Sequence, residues 1–335
     1  TRGRWCGVWF RAMPVFLDPA VLFFVVGLFA GLVRSNLQIP DQVGRFLSLY
    51  LLMALGLKGG FAIRASGIDQ TVIVSLGLAV AMAITVPVVG YLALRRAIGQ
   101  FEAIGVAAVY GSVSAVTFIA ATQYLDQAGV PYGGHMAAAM ALMESPALVI
   151  ALMLAHRARR RSGTEMVGAT WQEGLRHALT DGSQLVLVGA MAVGILTGET
   201  GQKVMAPFSI DLFKGMLSFF LLDMGTVAAT QLRNLAGSPV QAFVYAFAAP
   251  PIHALIALGL ALSVGLPPGE TMLLMVLSAS ASYIAVPAAL RHAVPEATPG
   301  LYVGLSLGLT FPLNIVLGIP VYAALAHEAA GLLGR

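Results

Sequence analysis

Long apolar runs alternate along the chain with short clusters of polar residues, glycine and proline. An α-helix advances about 1.5 Å per residue, so a run of about twenty apolar residues is what one needs to cross the hydrocarbon core of a bilayer. The pattern predicts ten such helices, centred near Phe24, Met53, Val80, Val113, Leu148, Ala192, Phe220, His253, Tyr283 and Leu313. The runs around Val113 and Tyr283 are interrupted by serines and small residues. Helices four and nine are therefore expected to be broken. The predicted fold class is an all-α polytopic membrane protein.

Composition narrows the field further. Hydrophobic residues make up 58% of the 335, and charged residues only 10%, against about 25% charged in ordinary soluble domains. This excludes a water-soluble enzyme, a disordered chain and a nucleic-acid-binding domain. The net charge of +4 is small, and its main basic run is the single loop that begins Arg157-Ala-Arg-Arg-Arg161. The connections after the odd-numbered runs carry Arg34, Arg45, Arg95, Arg96, the Arg157–Arg161 cluster, Arg176, Arg233 and Arg291, whereas the others hold only Lys58, Arg64 and Lys203. Because short cytoplasmic loops are enriched in Lys and Arg, both termini are predicted outside. The lone Cys6 leaves no partner for an intramolecular disulfide and no cysteine metal cluster. Met13 is the first methionine, and residues 1–14 are expected to be a leader or a non-native start.

The chain also repeats itself. Arg45 corresponds to Lys214, Gly56 to Gly225, Pro87 to Pro251, Ser112 and Ser114 to Ser280 and Ser282, and Pro146 to Pro312, at offsets between 164 and 169 residues. Each half holds five runs, an odd number, so the second must enter the membrane from the opposite side. Inverted repeats of this kind build secondary transporters, with sites near the midplane where broken helices meet. The expected units are a first repeat over 15–156, a cytoplasmic loop over 157–183, a second repeat over 184–326 and a tail over 327–335.

Polar groups inside a membrane are costly and mark a site by default. The richest stretches are Tyr110-Gly-Ser-Val-Ser-Ala-Val-Thr117 and Ser278-Ala-Ser-Ala-Ser-Tyr-Ile-Ala-Val-Pro287. Hydroxyl residues beside Gly or Pro let a helix unwind, and the half-helix that restarts points N–H donors at a small anion. Gly111, Ser112, Ser114, Thr117, Ser280, Ser282 and Tyr283 are the candidate substrate-binding residues. Ser112, Ser114, Glu144, Ser280 and Ser282 are the candidate oxygen ligands for Na+. The bland alternative is that the serines merely let helices pack closely; two such segments at repeat-related positions, each followed by a run expected to be interrupted at Pro146 or Pro312, favour a site. Glu144 is read either as a Na+ ligand or charge-coupling group, or as a protonated or Arg-paired structural acid. Asp223 is expected to pair with Arg45 or Lys214, and His253 to be a packing residue; Asn314, Gln123 and Glu102 are secondary candidates. No phosphate-cradling loop, zinc-protease signature, nucleophile elbow or organic-cofactor motif is present. An enzyme or ATP-driven pump is therefore not expected.

Leu55-Gly-Leu-Lys-Gly-Gly-Phe-Ala-Ile-Arg64, Tyr110–Thr117, Met143-Glu-Ser-Pro-Ala-Leu148, Ala249-Pro-Pro-Ile-His253 and Ser280–Pro287 together resemble the sodium-dependent bicarbonate transporter family, the SbtA-like permeases of cyanobacteria. The likeness runs from about Phe16 to Ala326. It implies ten helices in two inverted five-helix repeats, a gate domain from helices one, two, six and seven, a core domain holding the broken helices, and a homotrimer. It implies Na+-driven bicarbonate uptake, with Na+ as coupling ion, and a PII-like regulator on the cytoplasmic side. Two positions depart from the family pattern: Tyr283 stands where its members carry an acid, and Glu144 where they carry aspartate. The first bears on Na+ stoichiometry or on the substrate. Another small anion such as a carboxylate, or a passive anion channel, are the competing readings.

Overall fold

In the computed structural model, residues 18–67, 69–162, 176 and 180–332 are described. The expected leader over 1–14 and most of the 157–183 loop lie outside the described residues. Every regular element among the described residues is helical.

The helix ends follow from local chemistry. Asp18 accepts from the amides of Ala20 and Val21 and starts α1, Pro19–Leu32, with Pro19 in the first turn, where its missing N–H costs nothing. Helix α2, Asp41–Ser66, stops at Gly67, whose φ of 75° is one that glycine adopts freely. Asp69 caps α3, Gln70–Leu94, through the Val72 amide. Next come α4, Gln100–Gly111, α5, Ala115–Ala128, and α6, His135–Ser162. Asp181 caps α7, Gly182–Ala206, which passes through a π-turn at Pro207–Asp211 into α8, Phe213–Asn234. The chain finishes with α9, Val240–Val264, α10, Pro268–Ala279, α11, Ala285–Ala293, and α12, Pro299–Leu332. The last contains π-stretches at Gly304–Thr310 and Asn314–Gly318.

Seven helical stretches are long and apolar enough to cross a membrane, with the α7–α8 stretch Gly182–Asn234 counted as one and α4–α5 as another. Helix α1 is equally apolar but has 14 residues. Eight of the ten expected centres fall inside a helix; Val113 and Tyr283 fall in the gaps between α4 and α5 and between α10 and α11. Apolar side chains face outward over much of the surface, with Leu196 82%, Val204 72% and Ile73 66% exposed. That is the inverse of a soluble surface and suits a lipid solvent.

One expectation is overturned. Pro146 does not interrupt its helix: α6 runs unbroken through it, as α3 does through Pro87 and α9 through Pro250 and Pro251. Proline deletes one backbone hydrogen bond, and within a membrane bundle neighbouring groups absorb the loss without ending the helix. Pro312, the expected counterpart of Pro146, lies in a short α-turn between the two π-stretches of α12.

The helices pack in two groups. Helix α1 lies along α8 and α2 along α7, with α2 also touching α8. Glycines set these approaches: a Cβ at Gly27 or Gly31 would strike the α8 backbone, and one at Gly56 or Gly60 the α7 backbone. In the second group α4 packs on α3 and α6, and α10 on α9 and α12. Tyr110, Phe118, Tyr302 and Phe311 are almost wholly buried there.

Candidate functional site

The two gaps in helical structure meet in the second group. At the first, Ser112 is extended, with φ −97° and ψ −178°, and Ser114 restarts the helix as the cap of α5, its Oγ accepting from the amide and hydroxyl of Thr117. At the second, Ser280 is extended at the end of α10, and the Ser282 hydroxyl accepts from the Val286 amide of α11. The gaps are stitched to each other. The Ser114 amide donates to Ser280 Oγ at 3.0 Å, and the Ser282 amide donates to the Val109 carbonyl at 2.8 Å. Backbone groups released by each break are thus partly satisfied by the other, as an apolar interior demands. The remaining first-turn amides of α5 and α11 have no intrahelical acceptor.

A cavity of about 30 Å³ lies against this crossing. Ser114, Glu144, Ser282 and Tyr283 line it on one side, and Ser48, Leu52, Ser183, Gln184 and Leu187, from α2 and α7, on the other. A smaller cavity of about 20 Å³ shares Glu144, Gln184 and Ala285 with it and extends to Asp181. Such volumes hold two or so water-sized groups each. This is the scale of a small ion, not of an open pore.

The candidate residues separate into two sets. Ser114, Ser282, Tyr283 and Glu144 face the cavity; Gly111, Ser112, Thr117 and Ser280 do not line it. Ser280 Oγ is already engaged, accepting from Ser114 and donating to the Leu277 carbonyl. Ser112 Oγ donates to the Glu144 carbonyl at 3.4 Å, and Thr117 braces Ser114. Gly111 meets the ring of Pro87, where a Cβ would not fit. These four shape the crossing from behind. Tyr283 is 8% exposed, its ring packs edge-on to Phe311 at 5.2 Å, and its hydroxyl is buried near Ser114 with no close hydrogen bond among the described residues. Among the described residues no Lys, Arg or His pairs with the Glu144 carboxylate, so the Arg-paired reading of this acid has no support there.

Other expectations shift. Asp223 pairs with neither Arg45 nor Lys214: Lys214 reaches Asp18 at 3.2 Å instead, while Asp223 lies 8% exposed beside Gly44. Lys214 is the second residue of α8, within reach of Asp18 at the start of α1, whereas Asp223 lies mid-helix. His253 is buried, as a packing residue is. Asn314 takes up the Ala279 carbonyl at 2.9 Å, which the end of α10 would otherwise strand. Glu102, in the first turn of α4, accepts from the amide and hydroxyl of Thr298, in the α11–α12 connection. Glu270, in the first turn of α10, accepts from the Gly133 amide, in the α5–α6 connection. Each acid opens one interrupted pair of helices and grips the loop that leaves the other.

Sequence reasoning missed the α2 and α7 contributions, Ser48, Ser183 and Gln184. Their only signal was polarity within or at the start of an apolar run, which is equally the signature of an ordinary helix start. Arg159 forms a two-pronged contact with Glu296 at 2.7 Å for each prong and donates to the Ala293 carbonyl. Those hydrogen bonds hold the Glu296 carboxyl below its ordinary range.

The arrangement offers one carboxylate, several hydroxyls and two half-helix N-termini around a space for small ions. Among the described residues no three His, Cys, Asp or Glu side chains converge, so a cation held here would take its ligands from Glu144 and from hydroxyl and carbonyl oxygens, a hard set suited to an alkali ion. Among individual curated proteins, no match to the chain was found. Residues 19–327 match the model of the Na+-dependent bicarbonate transporter superfamily, and the chain belongs to that family.

Proposed function

We propose that this protein takes up bicarbonate by Na+-coupled alternating access. The observation that carries the reading is the crossing itself, in which the two interruptions exchange hydrogen bonds, one from a backbone amide to a serine hydroxyl and one between backbone groups, beside a small cavity lined by Glu144. In this reading α4 with α5, and α10 with α11, each form one span, and α7 and α8 are separate spans, giving ten. The two five-helix repeats cover 15–156 and 184–326, joined by the 157–183 loop and followed by the 327–335 tail. Support for opposed repeats comes from the reciprocal grips of Glu102 on Thr298 and Glu270 on Gly133. The gate is α1, α2, α7 and α8, and the core is the rest.

Na+ sits at Glu144 with hydroxyls of Ser114 and Ser282, and the anion at the amides opening α5 and α11, with the Tyr283 hydroxyl donating to it. Ser112, Ser280, Thr117 and Gly111 hold the frame. Positive charge beside those amides favours the anion, and each ligand must raise the other's affinity by the same factor. The proposed assembly is a homotrimer in a bacterial inner membrane, termini outside, with the basic end of α6 inside as the docking face for a PII-like regulator. Because Tyr283 leaves Glu144 as the one carboxylate lining the larger cavity, a different small carboxylate is the second reading of the cargo.

Purified protein in proteoliposomes should accumulate radiolabelled bicarbonate when an inward Na+ gradient is imposed, and not with K+ in its place. Uptake indifferent to Na+ sinks the coupling. Inhibition by a small carboxylate that is itself accumulated more strongly would move the cargo to the second reading.

A further inference from the structure

Polar side-chain links between the two helix groups are concentrated at one end of the molecule. Among the described residues they are the Lys58–Asp126 ion pair at 3.2 Å and the Gln127–Asp18 hydrogen bond at 2.7 Å. Each is buttressed within its own group. Tyr132 donates to the other oxygen of Asp126, Lys58 lies 4.7 Å over the ring of Phe213, and Lys214 pairs with Asp18. Partial burial pushes the Asp18 carboxyl upward, but hydrogen bonds from Gln127, the Ala20 amide and Lys214, with the charge of Lys214, leave it below its ordinary value and ionised. Gly59 and Gly134 bring α2 and the start of α6 into close approach at this end as well.

The opposite end is built differently. There the groups meet at α8 and α12 through apolar contact, with Gly304 against Leu235 and Gly308 against the Leu232 backbone. The cavities lie between the groups and reach Asp181. Polar contacts thus fasten one end, while smooth packing and open volume occupy the other.

Helix α5 connects these features. Its first residues follow Ser114 at the cavity, and its last turns carry Asp126 and Gln127. Its 14 residues make a rod of about 21 Å, so a displacement at the cavity is delivered to the fastening. Resting on the alternating-access reading, we propose that Lys58–Asp126 and Asp18–Gln127 form a latch that shuts the cavity toward the Asp126 end and opens when the groups move. The strength is right for a device that must release. The Lys58 and Asp126 side chains are 27% and 37% exposed, and exposed pairs contribute little, so breaking one shifts the closed-to-open ratio by about two- to fivefold.

The test uses a cysteine at the cavity, Val116→Cys, in a Cys6→Ser background, with a membrane-impermeant maleimide applied separately to either face of oriented vesicles. Lys58→Met and Asp126→Asn should each raise labelling from the Asp126 face about two- to fivefold. The exchanged pair, Lys58→Asp with Asp126→Lys, should return it to the parental rate. Parental labelling in both single variants overturns the latch, and so does an exchanged pair that labels as fast as they do. Na+-driven bicarbonate uptake is measured in parallel on the parent protein without Val116→Cys, because Val116 lies in the first turn of α5 beside the cavity. Its absence in the parent removes the transport reading, whereas the labelling ratios still report whether the latch closes that face.

Discussion

At the scale of single residues, Tyr283 carries the sharpest consequence. Its ring is held by Phe311 and its hydroxyl lies buried near Ser114 with no close hydrogen bond among the described residues, and a buried donor left without a full hydrogen bond costs about 1–3 kcal/mol. A transported anion that accepts from it recovers that cost. Tyr283→Phe keeps the ring packing and deletes only the donor, so the thermal melt should not fall, while the KM for bicarbonate rises roughly tenfold. An unchanged KM would place the anion elsewhere. The residues of this site were only half legible in the chain. Ser114 and Ser282 could be picked out because each restarts a helix after a break. Ser112 and Ser280 share the same motif yet do not line the cavity, Ser112 bonding to the Glu144 carbonyl and Ser280 accepting from the Ser114 amide, partners that only the fold brings to them. Glu144 could be named from its isolation in an apolar run, but only the tertiary structure showed that it has no basic partner among the described residues.

At the scale of elements, the clamp between α6 and the α11–α12 connection governs how firmly the second broken pair is held. Arg159 is 5% exposed and reaches both oxygens of Glu296, whose side chain is 31% exposed. Because the Glu296 carboxyl is lowered from its ordinary value of 4.5, the stabilisation is fully present above about pH 4.5 and is lost as pH falls through the lowered value. Glu296→Gln should therefore destabilise the detergent-solubilised protein at pH 7 by about 1–3 kcal/mol, less than a fully buried pair because of solvent screening. The gap between variant and parent melts should narrow as pH is taken below 4. A gap that stays constant with pH would mean that the clamp does not depend on the charge of Glu296. The helices themselves were readable from apolar run length. The continuity of α6 through Pro146 was not, since whether a proline breaks a helix depends on what its neighbours offer the freed carbonyl.

At the scale of the whole molecule, binding should report on the fold. A ligand that binds the folded state alone, at a hundred times its Kd, stabilises it by about 2.7 kcal/mol. Na+, but not K+, should raise the melting temperature of the parent, and Glu144→Gln should abolish that rise while leaving the melt without Na+ near the parental value. A Na+ response that survives in Glu144→Gln would move the cation site away from this carboxylate. The amino-acid sequence by itself determined that the chain is helical and membrane-sized, where its helices are centred, and that two serine-rich stretches interrupt them, because run length and breaks are local properties of hydropathy and backbone hydrogen bonding. Tertiary structure alone decided that the two interruptions exchange hydrogen bonds, that α2 and α7 supply the opposite wall of the cavity, and that Asp18 takes Lys214 from Asp223. Those outcomes depend on which helix faces which, and glycine-set close approach between residues more than a hundred positions apart fixes that choice in space rather than along the chain.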